Sequence, residues 1–377
     1  MRLIYFIPLL STVGGQERTL TDKANWLTAN GHEVMFVTYE HEGPLAYQLK
    51  DGIRHLDIHC HYFDLYKCSV WRRPYELLSL KHHFRKKMAD VIASFCPDVI
   101  IVPVPNTENF LWDLMKVAHS IPVVIESHLA YGHSVNKRGL TEKWLYYLEN
   151  PQRAICNARL LIALTEGDAI CWRRNLVKNI KVVPNPVTCY PESVFPISKT
   201  EGRIICVGRY TQQKRFDRLI DAFGLIANRY PNWCVDIFGD GEEKENLNNR
   251  IVEKGLTERI HLFPSTHDIY TEYQRSQFFV LSSDFEGFGL VIIEAMACGI
   301  PVVASDCPFG PSEIIEDGKT GLLAKMDVAD LAAKMEWMIT HDVERRQMGQ
   351  NARQAAARYR LDRVMPEWER AYLSVLE

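Results

Sequence analysis

Short apolar runs alternate with amphipathic helical segments along this chain, and the alternation starts twice. Runs of this kind predict parallel strands that are buried on both faces, because helices cover both sides of the sheet. Thr12–Gln16 has the composition of a glycine turn, and Glu17–Asn30 has the pattern of the first helix. In the first half the predicted strands are Leu3–Pro8, Glu33–Tyr39, Asp98–Val104, Pro122–Glu126 and Leu160–Leu164.

A proline-rich segment separates the two sets of strands. Val183–Glu201 contains Pro184, Pro186, Pro191 and Pro196 with little periodicity, which is typical of a linker or hinge. The second set of predicted strands is Arg203–Val207, Val235–Gly239, Ile260–Pro264, Phe278–Ser282 and Pro301–Ala304. The simplest architecture is therefore an α/β fold of two facing, doubly wound, Rossmann-like domains, with a ligand cleft beyond the carboxyl ends of their strands.

The domain boundaries follow from this pattern. We place an N-terminal domain at 1–187 and a C-terminal domain at 188–361. We expect the last helix, about 362–377, to pack back on the N-terminal domain. The two parts also differ in charge: residues 1–187 carry 22 Lys and Arg against 18 Asp and Glu, whereas the remainder carries 22 against 29.

Composition narrows the class of protein. The chain has 377 residues and a net charge of −3, so a nucleic-acid partner is not expected. Its ten cysteines form no C-x-x-C pair, which indicates reduced thiols. The N-terminus has one basic residue and no small-residue cleavage site, and no run of about 18 apolar residues occurs. We therefore expect a cytoplasmic protein.

The stretch SSDFEGFGLVIIEAMACGIPVVAS, from Ser282 to Ser305, carries two acids in an apolar context. Glu286 falls in a loop after a predicted strand, and Gly287, Phe288 and Gly289 are predicted to open a helix. The free N–H groups of such a helix start suit a phosphate, and glycine lets a ligand approach the backbone. Glu294 lies in the helix among apolar residues, where a ligand hydroxyl pair would satisfy its charge. Capping of its own helix or pairing with a lysine would equally explain either glutamate.

This stretch resembles the E-x7-E signature of the retaining glycosyltransferases of family 4, which have the GT-B fold. The match is long and gapless, from Glu286 to Ala304. The resemblance implies that Glu294 accepts hydrogen bonds from the nucleotide ribose and that Glu286 faces the transferred sugar. It also implies that the amides of Phe288, Gly289 and Leu290 contact the sugar hydroxyls and the diphosphate.

Other motifs extend the resemblance over most of the chain. Arg209 and Lys214 are similar to the family's Arg-x4-Lys clamp, and two cations beside a strand end suit a departing diphosphate. A solvated basic loop is the alternative. Gly14 and Gly15 resemble the N-terminal glycine loop that closes over the phosphates. Gly239 and Asp240 resemble a strand-end turn near the base, although a plain tight turn explains them equally well.

His128 follows the strand Pro122–Glu126 and matches the family's N-domain histidine. The resemblance implies that it binds a hydroxyl of the transferred sugar or steadies charge in the transition state. A packed or surface histidine is the alternative, and His133 is a weaker candidate.

No metal and no cofactor is expected. The chain contains no D-x-D spacing, and Arg209, Lys214 and the helix-start amides can do the electrostatic work of a cation. His59 and His61 point to the same side of a predicted strand, but no further ligands occur at a recognisable spacing.

The sequence thus predicts a retaining glycosyltransferase that uses a nucleotide diphosphate sugar. We expect UDP as the nucleotide and a glycan or polyprenyl-linked acceptor in bacterial cell-surface polysaccharide synthesis. The reason is that CPFGPSEII (Cys307–Ile315) resembles a variant seen in bacterial polysaccharide and lipid-linked oligosaccharide enzymes. The assigned catalytic residues are Glu286, His128, Arg209 and Lys214. The alternatives are a nucleotide-sugar 2-epimerase of the same fold and a non-catalytic sugar-binding protein.

Tyr66–Lys87 is the most basic segment of the chain. It carries seven Lys and Arg against Glu76 alone, and Trp71 and Tyr75 lie among them. Basic and aromatic residues suit anionic lipid head groups, at the inner face of the plasma membrane. The alternative is that the apolar stripe of the helix faces the core while the charges are merely solvated.

Overall fold

The computed structural model describes residues 1–104, 108–131, 151–175, 177–193, 202–266 and 268–377. The chain forms two compact units: the first is Met1–Pro184 with Val364–Glu377, and the second is Asn185–Arg363. The crossings between the units thus lie within three residues of the expected boundaries at 187 and 361. Part of the proline-rich segment, including Pro196, lies outside the described residues, as does His133.

The first unit is built on a seven-stranded parallel sheet. Its strands are β1 (Arg2–Ile7), β2 (Glu33–Thr38), β3 (Arg54–Asp57), β4 (Val99–Val104), β5 (Val123–Ser127), β6 (Leu160–Ala163) and β7 (Ile180–Val182). The strand order is β3-β2-β1-β4-β5-β6-β7. Every residue of β4 and β6 is buried, as expected for strands that are covered on both faces.

Among the described residues of 1–184, five helices surround this sheet. They are α1 (Gly15–Ala29), α2 (Arg73–Phe95), α3 (Glu108–Ala118), α4 (Pro151–Cys156) and α5 (Glu166–Arg174), with a 3₁₀ turn at Tyr62–Lys67. Helix α2 buries Leu77, Phe84, Met88, Val91 and Phe95, which recur every three to seven residues and form one apolar face. The alternative reading of this helix is therefore correct for its apolar stripe, which packs in the core.

The second unit is built on a six-stranded parallel sheet. Its strands are β8 (Gly202–Val207), β9 (Trp233–Phe238), β10 (Ile260–Phe263), β11 (Phe278–Leu281), β12 (Val302–Ser305) and β13 (Gly321–Ala324), in the order β10-β9-β8-β11-β12-β13. The prediction of two doubly wound α/β units is confirmed by these two sheets.

Helices cover the second sheet, and the last helix returns to the first unit. They are α6 (Phe216–Ile226), α7 (Lys244–Glu253), α8 (Ile269–Gln274), α9 (Leu290–Ala297), α10 (Pro311–Ile314), α11 (Val328–Thr340), α12 (Asp342–Ala356) and α13 (Leu361–Leu373). Shorter 3₁₀ turns are Gln212–Lys214, Ala227–Arg229 and Ala357–Tyr359. In α13, Trp368 and Tyr372 are fully buried within the first unit.

Each sheet has one place where the strand order reverses. In the first unit β1 lies between β2 and β4, and in the second unit β8 lies between β9 and β11. Loops that leave such neighbouring strands in opposite directions open a crevice at the carboxyl edge, where ligands of doubly wound sheets bind. The sites described below follow these strands.

Among the described residues, no helix has the length and apolar character needed to cross a membrane.

Candidate active site

The loops after β8 and β11 meet at the reversal point of the second sheet. Lys214 lies in the 3₁₀ turn that follows β8, and Glu286 lies in the loop that follows β11. Lys214 Nζ donates to Glu286 Oε1 at 2.7 Å, and both side chains are largely buried. Ser283 Oγ donates to the same carboxylate oxygen at 2.6 Å. A carboxylate and an ammonium are thus held together where the fold binds ligands.

Hydrogen bonds to backbone carbonyls fix the two loops against each other. The Asp284 N–H donates to the Gln213 carbonyl at 2.9 Å, and the side-chain Nε2 of Gln213 donates to the Phe285 carbonyl at 2.9 Å. Ser282 Oγ donates to the Lys214 carbonyl at 2.8 Å. The ion pair is therefore held by a rigid frame, which favours preorganised binding over a mobile surface contact.

Arg209 differs from Lys214 in its surroundings. It lies two residues after β8 and is exposed, and within the described part of the chain its guanidinium has no hydrogen-bond or ion-pair partner. Of the two predicted clamp cations, one is therefore available to an incoming anion, and the other already holds Glu286.

The helix that follows Glu286 begins later than expected. We expected Gly287, Phe288 and Gly289 to open it, but α9 begins at Leu290, and Gly289 is its N-terminal cap residue with a φ of 95°. This left-handed conformation favours glycine, because a side chain there would be strained. Phe288 is buried, with its ring edge-on to Tyr359 at 5.7 Å between centroids. Gly287 and Leu290 therefore flank a packed turn that leads into the helix.

Glu294 lies one turn into α9 and is buried. The Tyr273 hydroxyl of α8 donates to Glu294 Oε2 at 3.2 Å. Burial and then the charge of Glu294 raise the pKa of Tyr273 well above its usual value, so this hydroxyl stays a donor. The sequence prediction missed Tyr273, because a tyrosine in a short helix carries no motif that would indicate its partner.

Gly239 and Asp240 form the turn after β9, next to the start of the clamp loop. The Asp240 carbonyl accepts a hydrogen bond from the Tyr210 N–H at 2.8 Å. A Cβ on Gly239 would lie 1.9 Å from the Gly208 carbonyl oxygen. This glycine is therefore required by the close approach of two backbones. The role of Gly239 and Asp240 near the base stays a prediction.

Two groups of predicted site residues belong to the first unit. Gly14 is the N-terminal cap of α1, Gly15 is its first residue, and a Cβ on Gly14 would lie 2.3 Å from Glu17 Oε2. His128 directly follows β5, and its side chain is only 3% exposed. Its Nε2 lies 2.9 Å from Glu126 Oε2. Glu126 is a functional candidate that the sequence prediction missed, since it occupies an ordinary strand position.

Potential metal ligands occur elsewhere. In the described ranges, one group of three such side chains lies close together: the ligand atoms of Cys234, Asp236 and His261 are within 4.8 Å of one another. These residues lie on β9 and β10, outside the loops that carry Lys214 and Glu286, and the Arg203 guanidinium already binds Asp236. Metal-independent chemistry at Glu286 stays a prediction.

The models of two protein families match this chain. The one described as Glycosyltransferase Family 4 matches residues 13–189, and the one described as Glycosyl transferases group 1 matches residues 192–355. Together the two ranges cover most of both units.

Full-length relatives agree with these matches. An uncharacterized glycosyltransferase of Haemophilus influenzae is 27% identical over 368 residues, which are 97% of this chain and 98% of the relative. A Campylobacter jejuni protein named GalNAc-alpha-(1->4)-GalNAc-alpha-(1->3)-diNAcBac-PP-undecaprenol alpha-1,4-N-acetyl-D-galactosaminyltransferase is 24% identical over 371 residues, which are 98% of this chain and 97% of that protein.

Solved structures share the fold at lower identity. Sucrose-phosphate synthase from Thermosynechococcus elongatus superposes with a TM-score of 0.81 at 18% identity, covering 100% of this chain and 99% of that one. A mutant of Staphylococcus aureus TarM, solved with fondaparinux, alpha-GlcNAc-glycerol and UDP, superposes with a TM-score of 0.78 at 15% identity, covering 98% and 99%.

The two parallel sheets and these matches define a glycosyltransferase with the GT-B fold. The chain belongs to glycosyltransferase family 4, as the Glu286–Glu294 signature predicted. The alternative of a nucleotide-sugar 2-epimerase gains no support from these relatives.

Proposed function

We propose that this glycosyltransferase moves a hexose or N-acetylhexosamine from a UDP-sugar to a hydroxyl of a glycan or polyprenyl-linked acceptor, with retention of configuration and without a metal ion. The reaction would belong to bacterial cell-surface polysaccharide synthesis. The observation that carries the proposal is the Lys214–Glu286 ion pair at the reversal point of the second sheet, beside the exposed Arg209.

The geometry supports a division of roles in the second unit. An ammonium has three N–H donors, so Lys214 can keep its bond to Glu286 and still donate to diphosphate oxygens. Arg209 offers its guanidinium fork to the same diphosphate. In this arrangement Glu286 lies between Lys214 and the sugar. Glu294, which accepts a hydrogen bond from Tyr273, binds the ribose hydroxyls.

In the proposed reaction the bond between the sugar C1 and the diphosphate oxygen breaks, and a bond between C1 and the acceptor oxygen forms on the same face. The proton of the acceptor hydroxyl moves to the leaving phosphate oxygen. Arg209, Lys214 and the backbone amides of Phe288, Gly289 and Leu290 stabilise the negative charge that develops there.

The choice of donor and acceptor rests on the relatives. The TarM structure contains UDP, and the name of the Campylobacter jejuni relative describes transfer of N-acetylgalactosamine to a glycan on undecaprenol diphosphate. A Bacillus subtilis relative, named poly(glycerol-phosphate) alpha-glucosyltransferase, is 24% identical over 186 residues, which are 49% of this chain and 28% of that protein. These names favour a polymeric or lipid-linked acceptor.

The test is donor turnover with and without acceptor. The purified protein is incubated with a panel of UDP-sugars, with chelator present, and with or without polyprenyl-diphosphate-linked glycans. Release of UDP only with acceptor, together with an α-linked product from an α-linked donor by NMR, is the expected result. An epimerised donor without UDP release would overturn transfer, and binding without either change would identify a sugar-binding protein.

We also propose that the first unit touches an anionic membrane through an exposed α2 patch, which consists of Val70, Trp71, Tyr75 and Leu78. All four side chains are exposed, and Trp71 is 94% exposed. Exposed basic residues accompany them at Arg72, Lys86 and Lys87. Exposed apolar side chains and cations on one helical segment suit the lipid interface.

The positive charge near this patch is smaller than the sequence suggests. Asp113 of α3 pairs with both Lys81 Nζ, at 3.3 Å, and the Arg85 guanidinium. Lys67 pairs with Asp64 at 2.7 Å. The apolar side chains therefore carry much of the proposed contact, and the remaining cations add about 1 kcal/mol each near anionic lipid.

Vesicle co-sedimentation tests the contact. Binding is expected to be stronger with phosphatidylglycerol vesicles than with phosphatidylcholine vesicles, and W71A/Y75A/L78A should reduce it about tenfold or more by loss of buried apolar area. The matched control L225A/V252A/V343A removes exposed apolar side chains from the second unit and should bind like the wild type. Equal binding by both triple variants would contradict the proposal.

A further inference from the structure

A buried polar cluster lies beneath His128 in the first unit. Its centre is the Glu126 carboxylate of β5, which is fully buried and accepts three hydrogen bonds. Lys23 Nζ of α1 donates to Oε2 at 2.7 Å, His128 Nε2 lies 2.9 Å from the same oxygen, and the Tyr372 hydroxyl of α13 donates to Oε1. The hydroxyl of Tyr5 lies 3.2 Å from that of Tyr372.

The charges of this cluster are set by its members. Burial alone would raise the pKa of Glu126, but the charge of Lys23 and the hydrogen bond from His128 outweigh it and hold the pKa at about 2. Burial lowers the pKa of Lys23 to about 8, and Glu126 opposes that change. Burial also lowers the pKa of His128 below its usual value. At neutral pH the cluster is a Lys–Glu ion pair with a neutral imidazole.

The ionised carboxylate decides which imidazole nitrogen holds the proton. A carboxylate is only an acceptor, so the nitrogen that contacts it must carry the hydrogen. In a neutral ring the other nitrogen, Nδ1, then has a lone pair and can only accept.

From this geometry we propose that Glu126 is a positioning residue, which fixes His128 as the Nε2-protonated tautomer so that Nδ1 can accept a hydrogen bond from a substrate hydroxyl. Only the contact between Nδ1 and a substrate hydroxyl rests on the proposed function. The tautomer itself can be measured without any substrate.

The C-terminal helix takes part through its side chains. The Trp368 ring of α13 covers Lys23, with Nζ 3.2 Å from the ring centroid, and Tyr372 holds the second oxygen of Glu126. Both carboxylate oxygens are thus held by hydrogen bonds, and Oε2 is kept facing His128 Nε2.

The first experiment is ¹⁵N NMR of the imidazoles in the full-length protein without ligand, at a pH near 7.5. The signals of His128 are assigned by their absence in H128Q, since the chain has 13 histidines. The expected result is a neutral ring with the proton on Nε2. A ring with the proton on Nδ1, or an imidazolium, would overturn the proposal whether or not the protein proves to be a glycosyltransferase.

The second experiment compares variants of the cluster. E126Q leaves Lys23 buried without its counter-ion and can fail to fold, so the double variant K23M/E126Q, which removes both charges, is measured as well. In the double variant the pure Nε2 tautomer should be lost, and kcat should fall about tenfold or more, with a smaller change in the donor KM.

A control variant separates positioning from general damage to the core. S127A deletes a buried hydroxyl of the same strand, one that bonds Asp168 and Trp172 but neither Glu126 nor the His128 ring. It should keep the wild-type tautomer and its kcat. A double variant that melts near the wild type and keeps its tautomer, kcat and pH profile would show that the cluster is structural only.

Discussion

At the scale of single residues, the site depends on pairs that are far apart in sequence. Lys214 and Glu286 are separated by 72 positions, and Lys23 and Glu126 by 103. The sequence predicted Lys214, Glu286 and Glu294 as site residues through one signature and one clamp motif. It did not predict their contacts, because spacing along the chain carries no information on which loops a sheet brings together.

Replacing Lys214 tests the clamp. K214A should weaken binding of UDP about tenfold to a hundredfold in calorimetry, because a charge-assisted hydrogen bond contributes about 1.5–3 kcal/mol. The control is K254A, which breaks another Lys–carboxylate pair of the second unit, between Lys254 and Asp221 at 2.9 Å. Unchanged affinity in K214A would remove Lys214 from the donor site.

Glu294 is tested through the ribose. The wild type should prefer UDP to 2′-deoxy-UDP, and E294Q should lose most of that preference, since an amide is a weaker acceptor than a carboxylate for ribose hydroxyls. Y273F removes the hydroxyl on the other side of the carboxylate and should keep the preference. Equal discrimination by E294Q and the wild type in competition binding would contradict the assigned role.

At the scale of elements, the strands that the sequence predicted are those with continuous apolar runs, such as β1, β4 and β6. Three strands were missed. β3 reads RHLD and is half exposed, β7 has three residues, and β13 reads GLLA. Edge and short strands lack the hydrophobic run that identifies a buried strand, so their existence depends on pairing with a neighbour.

Two glycines of the second unit test the packing of the elements that carry the site. G239A should lower the free energy of unfolding by about 1–3 kcal/mol or more, because the new Cβ would lie 1.9 Å from the Gly208 carbonyl oxygen. G224A, inside α6, has its nearest atoms at 3.6 Å and should raise the stability by up to about 1 kcal/mol. Denaturant unfolding measures the change in the free energy of unfolding for both variants. An unchanged free energy of unfolding in G239A would contradict the close approach.

At the scale of the whole molecule, the second unit is inserted into the first. The chain leaves the first unit after Pro184 and returns to it at Val364. The returning segment holds Trp368, whose indole N–H donates to the Pro184 carbonyl at 2.8 Å. The sequence predicted this return as an expectation about the last helix, but gave no sign of the Lys23–Glu126 pair that the helix covers.

Trp368 is buried, and the exposed Trp71 provides a control of the same residue type. W368A should lower the free energy of unfolding by about 3–5 kcal/mol, because it leaves a cavity over the buried Lys23. W71A changes a side chain that is 94% exposed and should alter the stability by no more than about 0.5 kcal/mol. Similar unfolding midpoints for the two variants would show that α13 is not part of the first core.

The ionisation of Glu126 gives a pH dependence. Its folded pKa of about 2 lies below the usual 4.5, so its stabilising contribution is full above about pH 4.5 and is lost as the pH falls towards 2. The difference in unfolding free energy between the wild type and K23M/E126Q should shrink by about 3 kcal/mol over that window. A constant difference would contradict the low pKa.

The insertion of one unit in the other has a consequence for synthesis on the ribosome. All six strands of the second sheet have been translated by Ala324, whereas Trp368 follows only 44 residues later and Tyr372 after it. Until then the Lys23–Glu126 pair lacks its cover, although both residues were made early. We therefore expect the first unit to complete its folding after the second, although most of it is translated earlier. A nascent chain that stalls before α13 should expose a charged core to chaperones.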